Sequence, residues 1–216
     1  MFRNRRDAAE QLVQVIDDRD LEDKVDLVVA VPRGGVPIGR IVADELGVPL
    51  DIVAAKKLGA PGNAELAIGA VAADGSLWRN EPLIGRLGVP ETYVDEERER
   101  VAELAREKAE HYRVDGPETV AGKHVMVVDD GVATGATMFA CVESLENADA
   151  ASVTVAVPVA PPNTVEQLRR VADDVVVVSS PPHFAAVGQF YDHFEQVSDD
   201  EAIAMLHGER RGAPGA

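Results

Sequence analysis

Two adjacent carboxylates, Asp129 and Asp130, end a short apolar run and precede a loop of small residues, within HVMVVDDGVATGATM at residues 124–138. Along Gly131, Val132, Ala133, Thr134, Gly135, Ala136 and Thr137, small side chains let successive backbone N–H groups converge on one anion. The helix expected to follow adds the partial positive charge of its N-terminus at the same point. Thr134 and Thr137 add hydroxyl donors, so a phosphate monoester is held without a lysine. A Walker loop would read GxxxxGK[ST]; its absence argues against a nucleotide triphosphatase. The acidic pair would repel a phosphate placed on it, so it serves another part of the ligand, either vicinal hydroxyls or a hydrated metal ion. A hydroxyl donating to a carboxylate contributes roughly 1.5 to 3 kcal/mol. A sugar carrying a 5′-phosphate and 2′,3′-hydroxyls fits both halves.

These residues need a scaffold that brings strand ends together. Residues 125–128 are apolar and mostly β-branched, as in a strand buried on both faces of a parallel sheet. The run at 138–145 is long enough for a helix. LVVAV at 27–31 is a second buried strand, followed by Pro32, Arg33, Gly34 and Gly35 and then a helical pattern over 36–46. A cation beside two glycines suits a pyrophosphate, which needs close backbone approach and a positive charge. Both loops would lie at the carboxyl ends of parallel strands, where open α/β sheets bind ligands.

Other elements follow from pattern. Residues 50–55 read as a strand ending at Lys56 and Lys57, a placement that points to phosphate contact. Glycine and proline then punctuate 59–62, and a hairpin turn is expected at Asp74 and Gly75. Glu65 in this flap is a candidate to hold a lysine or a magnesium-bound water. Residues 91–113 read as a solvated helix packed by one stripe, with Thr92 and Asp95 resembling the start of a capping box. A run at 152–159, interrupted at Pro158, a short helix at 164–171 and a run at 175–178 complete the alternation. Strands alternating with helices imply an α/β fold with a mostly parallel sheet flanked by helices on both faces. The expectation is one domain over 1–216, with a small flap at about 58–115 and a C-terminal hood at about 180–207. A helix over 7–16 opens the chain and packs on the sheet or on a partner subunit.

The formal net charge of -17 and pI near 4.6 argue against a nucleic-acid partner. No apolar stretch reaches membrane-spanning length and no leader pattern is visible, so a soluble, cytoplasmic protein is expected. Cys141 lies on the apolar helix after the loop and reads as a small core residue. Of 21 basic residues only Lys24, Lys56, Lys57, Lys108 and Lys123 are lysines. Acidic surplus with little lysine is the composition of a halophilic protein, whose self-repulsion is screened by salt. Circular dichroism during dialysis from molar to millimolar KCl should therefore show loss of structure, and equal folding in both would refute the reading.

The stretch at 125–137 resembles the phosphoribosyl pyrophosphate (PRPP) motif of the type I phosphoribosyltransferases: four apolar residues, two acidic ones, and a loop ending Thr-Gly-x-Thr. PRGG resembles their pyrophosphate loop, and KKLGAPGN and FAAVGQFY follow in matching order. The resemblance implies transfer of 5-phosphoribosyl from PRPP to a nitrogen acceptor such as a nucleobase, with release of pyrophosphate and with Mg2+ bound near Asp129 and Asp130. Asp129, Asp130 and Arg33 would be catalytic, with Gly34, Gly35, Lys56, Lys57 and residues 131–137 binding substrate. It also implies an aromatic hood residue, Phe184, stacked on the acceptor, and homodimers are common in such families. The helix at 91–113 stands where these enzymes carry a mobile loop. Hypoxanthine-guanine enzymes carry a proton-exchanging aspartate just before Thr-Gly; here it is Ala133, as in the adenine and uracil types, which disfavours a 6-oxopurine. A non-catalytic PRPP or nucleotide sensor is the alternative, though a sensor for nucleoside monophosphates has no need of Arg33, Lys56 and Lys57.

Overall fold

The computed structural model describes residues 1–113 and 116–208. In chain order the elements are α1 (Arg5–Asp17), β1 (Leu27–Ala30), α2 (Gly35–Leu46), β2 (Leu50–Ile52), β3 (Ala55–Ala60), β4 (Asn63–Ala72), β5 (Leu77–Arg79), α3 (Glu81–Leu87), α4 (Glu91–Tyr112), β6 (His124–Val128), α5 (Ala136–Asn147), β7 (Ser152–Val159), α6 (Pro162–Leu168), β8 (Asp174–Ser179) and α7 (Asp199–Leu206). Five strands form an all-parallel sheet in the order β2-β1-β6-β7-β8.

Alternation along each central strand divides the core in two. Leu27 and Val29, Val125 and Val127, and Val153, Val155 and Val157 face α5 and α6. Val28 and Ala30, Met126 and Val128, and Ala156 face α1, α2 and α7. Both faces are covered, which is why these strands read as continuous apolar runs. Because α2 and α5 lie on opposite faces while β1 and β6 are neighbours, the sheet has a topological switch point between them, and a crevice opens there.

The flap is a separate antiparallel sheet, β3-β4-β5. Leu58, Ala60, Ile68 and Val71 pack with Ile84 of α3 and Val94, Val101 and Ala102 of α4 in a core of their own. Asp74 closes the expected hairpin turn by accepting from the Ser76 amide at 3.0 Å.

Three local expectations are corrected. The strand expected over 50–55 ends at Ile52, and Lys56 and Lys57 belong to β3 of the flap. Pro158 does not interrupt β7: pairing with β6 ends at Ala156, so the missing N–H falls where the strand has β8 alone as partner. Thr92 and Asp95 form no capping box, because the N-cap of α4 is Pro90, without a side-chain cap. Helix α3 is an element that the sequence pattern does not announce.

Asp51, at the edge of the parallel sheet, holds the exit of α4. It is buried, and accepts from Arg113 Nε at 3.1 Å and from the amides of Ile52 and Glu118 at 2.7 and 2.9 Å. Asp51→Ala takes the acceptor from the Ile52 and Glu118 amides and leaves Arg113 only its bond to the Ile52 carbonyl at 2.8 Å, and should lower stability by about 3 kcal/mol. A urea midpoint unchanged from the parent would contradict this.

Candidate functional site

The crevice between β1 and β6 holds the two loops singled out by sequence. Val31 N donates to Val128 O at 2.9 Å, so the chains leave the sheet side by side. The Pro32–Arg33 peptide is cis. An ideal Cβ on Gly34 would lie 2.0 Å from Asp130 Oδ2, and one on Gly35 would lie 2.7 Å from Val128 O. The glycines are thus required by the approach of one loop to the other, before any ligand arrives.

Beyond the carboxylates the backbone divides into anchor and cradle. The Val132 amide is committed to Val159 O at 2.9 Å, so it is an anchor. By contrast the amides of Ala133, Thr134, Gly135, Ala136 and Thr137 donate to no group among the described residues. They sit at the N-terminus of the 12-residue helix α5, capped by Gly135 in the left-handed region at φ 84°. Thr164 Oγ1 donates to Ala133 O at 2.7 Å and steadies this turn from α6. Free amides at a helix N-terminus are an anion cradle.

The acidic pair does not behave as a pair. Asp130 is buried, and Arg5 of α1 reaches it with Nε at 2.8 Å and with a second nitrogen at 2.8 Å. The same guanidinium donates to Glu195 O at 2.7 Å and lies 4.0 Å from the centre of the Phe194 ring. Tyr191 Oη donates to the Asp130 carbonyl at 2.6 Å. Asp130 therefore ties α1 and the hood to the loop. Asp129 keeps some exposure; its Oδ1 accepts from the Asp130 amide at 2.8 Å, and its Oδ2 has no hydrogen-bond partner among the described residues. Burial first and the charge of Asp130 second hold the Asp129 carboxyl well above the usual aspartate range. Asp130 is also raised by burial, with Arg5 opposing.

The described residues contain no group of three side chains able to hold a metal. One or two carboxylates suit magnesium, which keeps water and substrate oxygens in its shell. The open Oδ2 makes Asp129 the residue fitted to that ion.

Cations gather on the side of the Arg33 loop. Arg33 lies 3.6 Å from Asp199 of α7, and Asp199 accepts from the Tyr112 hydroxyl. Lys56 and Lys57 are consecutive on β3 and diverge. Lys56 acts electrostatically on Lys108 of α4, whereas Lys57 lines a cavity of about 840 Å³ with Glu65, Ala133, Thr134 and Phe184. Phe184 is partly exposed and tilted against Phe190, ring centres 4.7 Å apart. Cys141 is fully buried, its thiol pushed up by burial, as expected of a core residue.

A family model described as the phosphoribosyl transferase domain matches residues 3–195. The chain belongs to this family. It is 40% identical to TT1426 from Thermus thermophilus, whose crystal structure superposes with a TM-score of 0.80 over 95% of this chain and 97% of that one. It is 37% identical over 209 residues to a Mycobacterium tuberculosis protein that carries the provisional name of a phosphoribosyl transferase in two strains. That match covers 95% of this chain and 46% of the relative, so the chain spans about half the length of the curated relatives it matches.

Arg5 and Lys108 are the site residues that sequence reasoning did not single out. Arg5 opens α1, a helix that carries no motif, and meets Asp130 across 125 residues, with no local signal. Lys108 did carry one: it lies three residues after Ala105 and four before Tyr112, both fully buried, so it borders the packed stripe of α4. Among the described residues no helix is long and apolar enough to cross a membrane.

Proposed function

We propose that the chain binds PRPP and transfers its 5-phosphoribosyl group to a nitrogen acceptor, a nucleobase by the family resemblance. The C1–O bond to pyrophosphate breaks, the acceptor nitrogen bonds to C1, and the acceptor's displaced proton goes to solvent or to the leaving group. One observation carries this reading: the free amides of residues 133–137 and the Arg33 turn meet at a shared acidic joint. That arrangement matches a ligand with a phosphate at one end, hydroxyls in the middle and a pyrophosphate at the other.

In this reading the cradle and Thr134 hold the 5′-phosphate, and Thr137 stands behind them. Asp129 faces the ribose hydroxyls, with Asp130 fixing the loop behind it. Arg33 and Lys56 neutralise charge that grows on the departing pyrophosphate, and Lys57 and Phe184 line the cavity beside the cradle. Magnesium, for which the Asp129 carboxylate would be the protein ligand, would supply positive charge that offsets the charge growing on the leaving group. Catalysis is then positional and electrostatic, without a covalent nucleophile. A sensor for nucleoside monophosphates would need the phosphate and ribose half alone, and the cations on the leaving-group side favour a PRPP transferase over it. We take residues 1–216 as one transferase unit, a reading supported by the near end-to-end match to TT1426.

The test is pyrophosphate release from PRPP with magnesium in molar KCl, across free purine and pyrimidine bases, with the Asp129→Asn/Asp130→Asn double variant as control. Release that requires one base and disappears in the control establishes transfer. Binding of PRPP with no turnover on any base overturns the nucleobase reading, in favour of a sensor or of an acceptor outside the common bases.

A further inference from the structure

Lys108 is the one lysine of α4, whose exposed face carries glutamates, an aspartate, arginines, Thr92 and His111. Its ammonium turns inward and donates to the Pro32 carbonyl at 2.7 Å, immediately before Arg33. An ammonium has three N–H donors, and the described residues engage one. Burial and the charge of Lys56 hold its pKa below the usual lysine value, Arg33 adds to this, and Asp129 opposes it. Three cations thus share one edge of the crevice with two carboxylates, Asp129 and the Asp199 group beside Arg33. Such an arrangement costs the free protein and is relieved by a polyanion placed among them.

The helix that carries Lys108 is held at its C-terminal turn. Tyr112 donates to Asp199, the partner of Arg33, and Arg113 pairs with Asp51. On its other side, Val94, Val101 and Ala102 lock α4 to the flap sheet. The ammonium is therefore delivered from a fixed helix.

We propose that Lys108 contacts the pyrophosphate group of PRPP directly, completing with Arg33 and Lys56 a preformed seat for the leaving group. This rests on the PRPP reading above and adds to it a residue and a mode of delivery. Lys108 bridges the pyrophosphate loop and the bound anion, using one N–H for the Pro32 carbonyl and the others for phosphate oxygens. The rival role is structural, the satisfaction of the Pro32 carbonyl alone.

The experiment is calorimetric titration of the full chain and of Lys108→Met and Lys108→Arg, in KCl with magnesium, using inorganic pyrophosphate and, separately, ribose 5-phosphate. Lys108→Met should weaken pyrophosphate binding on the order of 10- to 100-fold, the loss of one charge-assisted bond. Binding of ribose 5-phosphate should be unchanged, and Lys108→Arg should restore part of the pyrophosphate affinity. Pyrophosphate affinity unchanged in Lys108→Met, or both ligands weakened equally, overturns the proposal and leaves the PRPP reading standing. A parent chain that binds neither ligand overturns both. Selective loss of pyrophosphate binding in a chain that transfers to no acceptor would uphold the seat while transfer falls.

Discussion

Asp129→Asn should slow pyrophosphate release from PRPP by on the order of 10²-fold while raising the thermal midpoint of the ligand-free protein. The rate effect follows from the open Oδ2, which the proposed mechanism gives to the ribose hydroxyls and the magnesium ion. Asparagine keeps the shape and the acceptor for the Asp130 amide but loses the charge. The stability effect follows from the raised carboxyl. Between the ordinary aspartate value and the raised one, the folded chain holds a proton that the unfolded chain has released. Stability therefore falls as pH rises through that window, and an ionised Asp129 is a cost to the fold at neutral pH. Asparagine removes that cost. The gain in midpoint should be present at pH 7 and fade toward about pH 4, where the parent is protonated in both states. Scanning calorimetry against pH checks the sign, and a lowered midpoint at neutral pH would show that the charge is compensated in the free protein.

Gly35→Ala should abolish most activity and destabilise the fold, although it places a better helix former at the first residue of α2. Propensity by itself predicts a gain of about 1 kcal/mol. Against it, the new Cβ would meet Val128 O at 2.7 Å and Asp129 Cα at 2.9 Å, both backbone atoms of the neighbouring loop. No rotamer clears such a contact, so the two loops must part, at about 1 to 3 kcal/mol for overpacking. A separation of this kind moves the phosphate cradle relative to Arg33, and a misplacement of about 1 Å costs on the order of 10²-fold in rate. Gly34→Ala differs in kind: its Cβ meets the Asp130 side chain, so the damage passes to the Arg5 pair and the hood. Urea titration with steady-state rates on PRPP separates the two. Full activity in Gly35→Ala would mean that the loop contact is slack.

What local sequence carries is the chemistry that lies within one stretch of chain. The β-branched run before Asp129, the small-residue turn and the apolar helix after it are contiguous, and short-range sterics and hydrogen bonding decide their form. The same holds for the strand and diglycine turn around Arg33, and for the alternation that makes the sheet parallel and buried on both faces. The reason those glycines are needed was not legible: a pyrophosphate explains them as well as a neighbouring carboxylate does. Nor was the limit of strand β2, since residues 53 and 54 stay buried and apolar while the chain crosses from one sheet to the other.

The division of labour within the acidic pair was decided by tertiary structure alone. Asp129 and Asp130 are chemically identical in the sequence, and only the approach of Arg5 from 125 residues away makes one an anchor and leaves the other open. Lys108 joins the site through a carbonyl 76 residues distant, and the fate of Lys56 and Lys57 depends on which face of a flap strand each occupies. The sequence by itself therefore determined the fold class, the small-residue loop before α5 and the family. Which charged groups meet at the crevice was left to packing, because charge pairing depends on separation in space, and the α1 and α4 contacts exist only once the sheet has assembled.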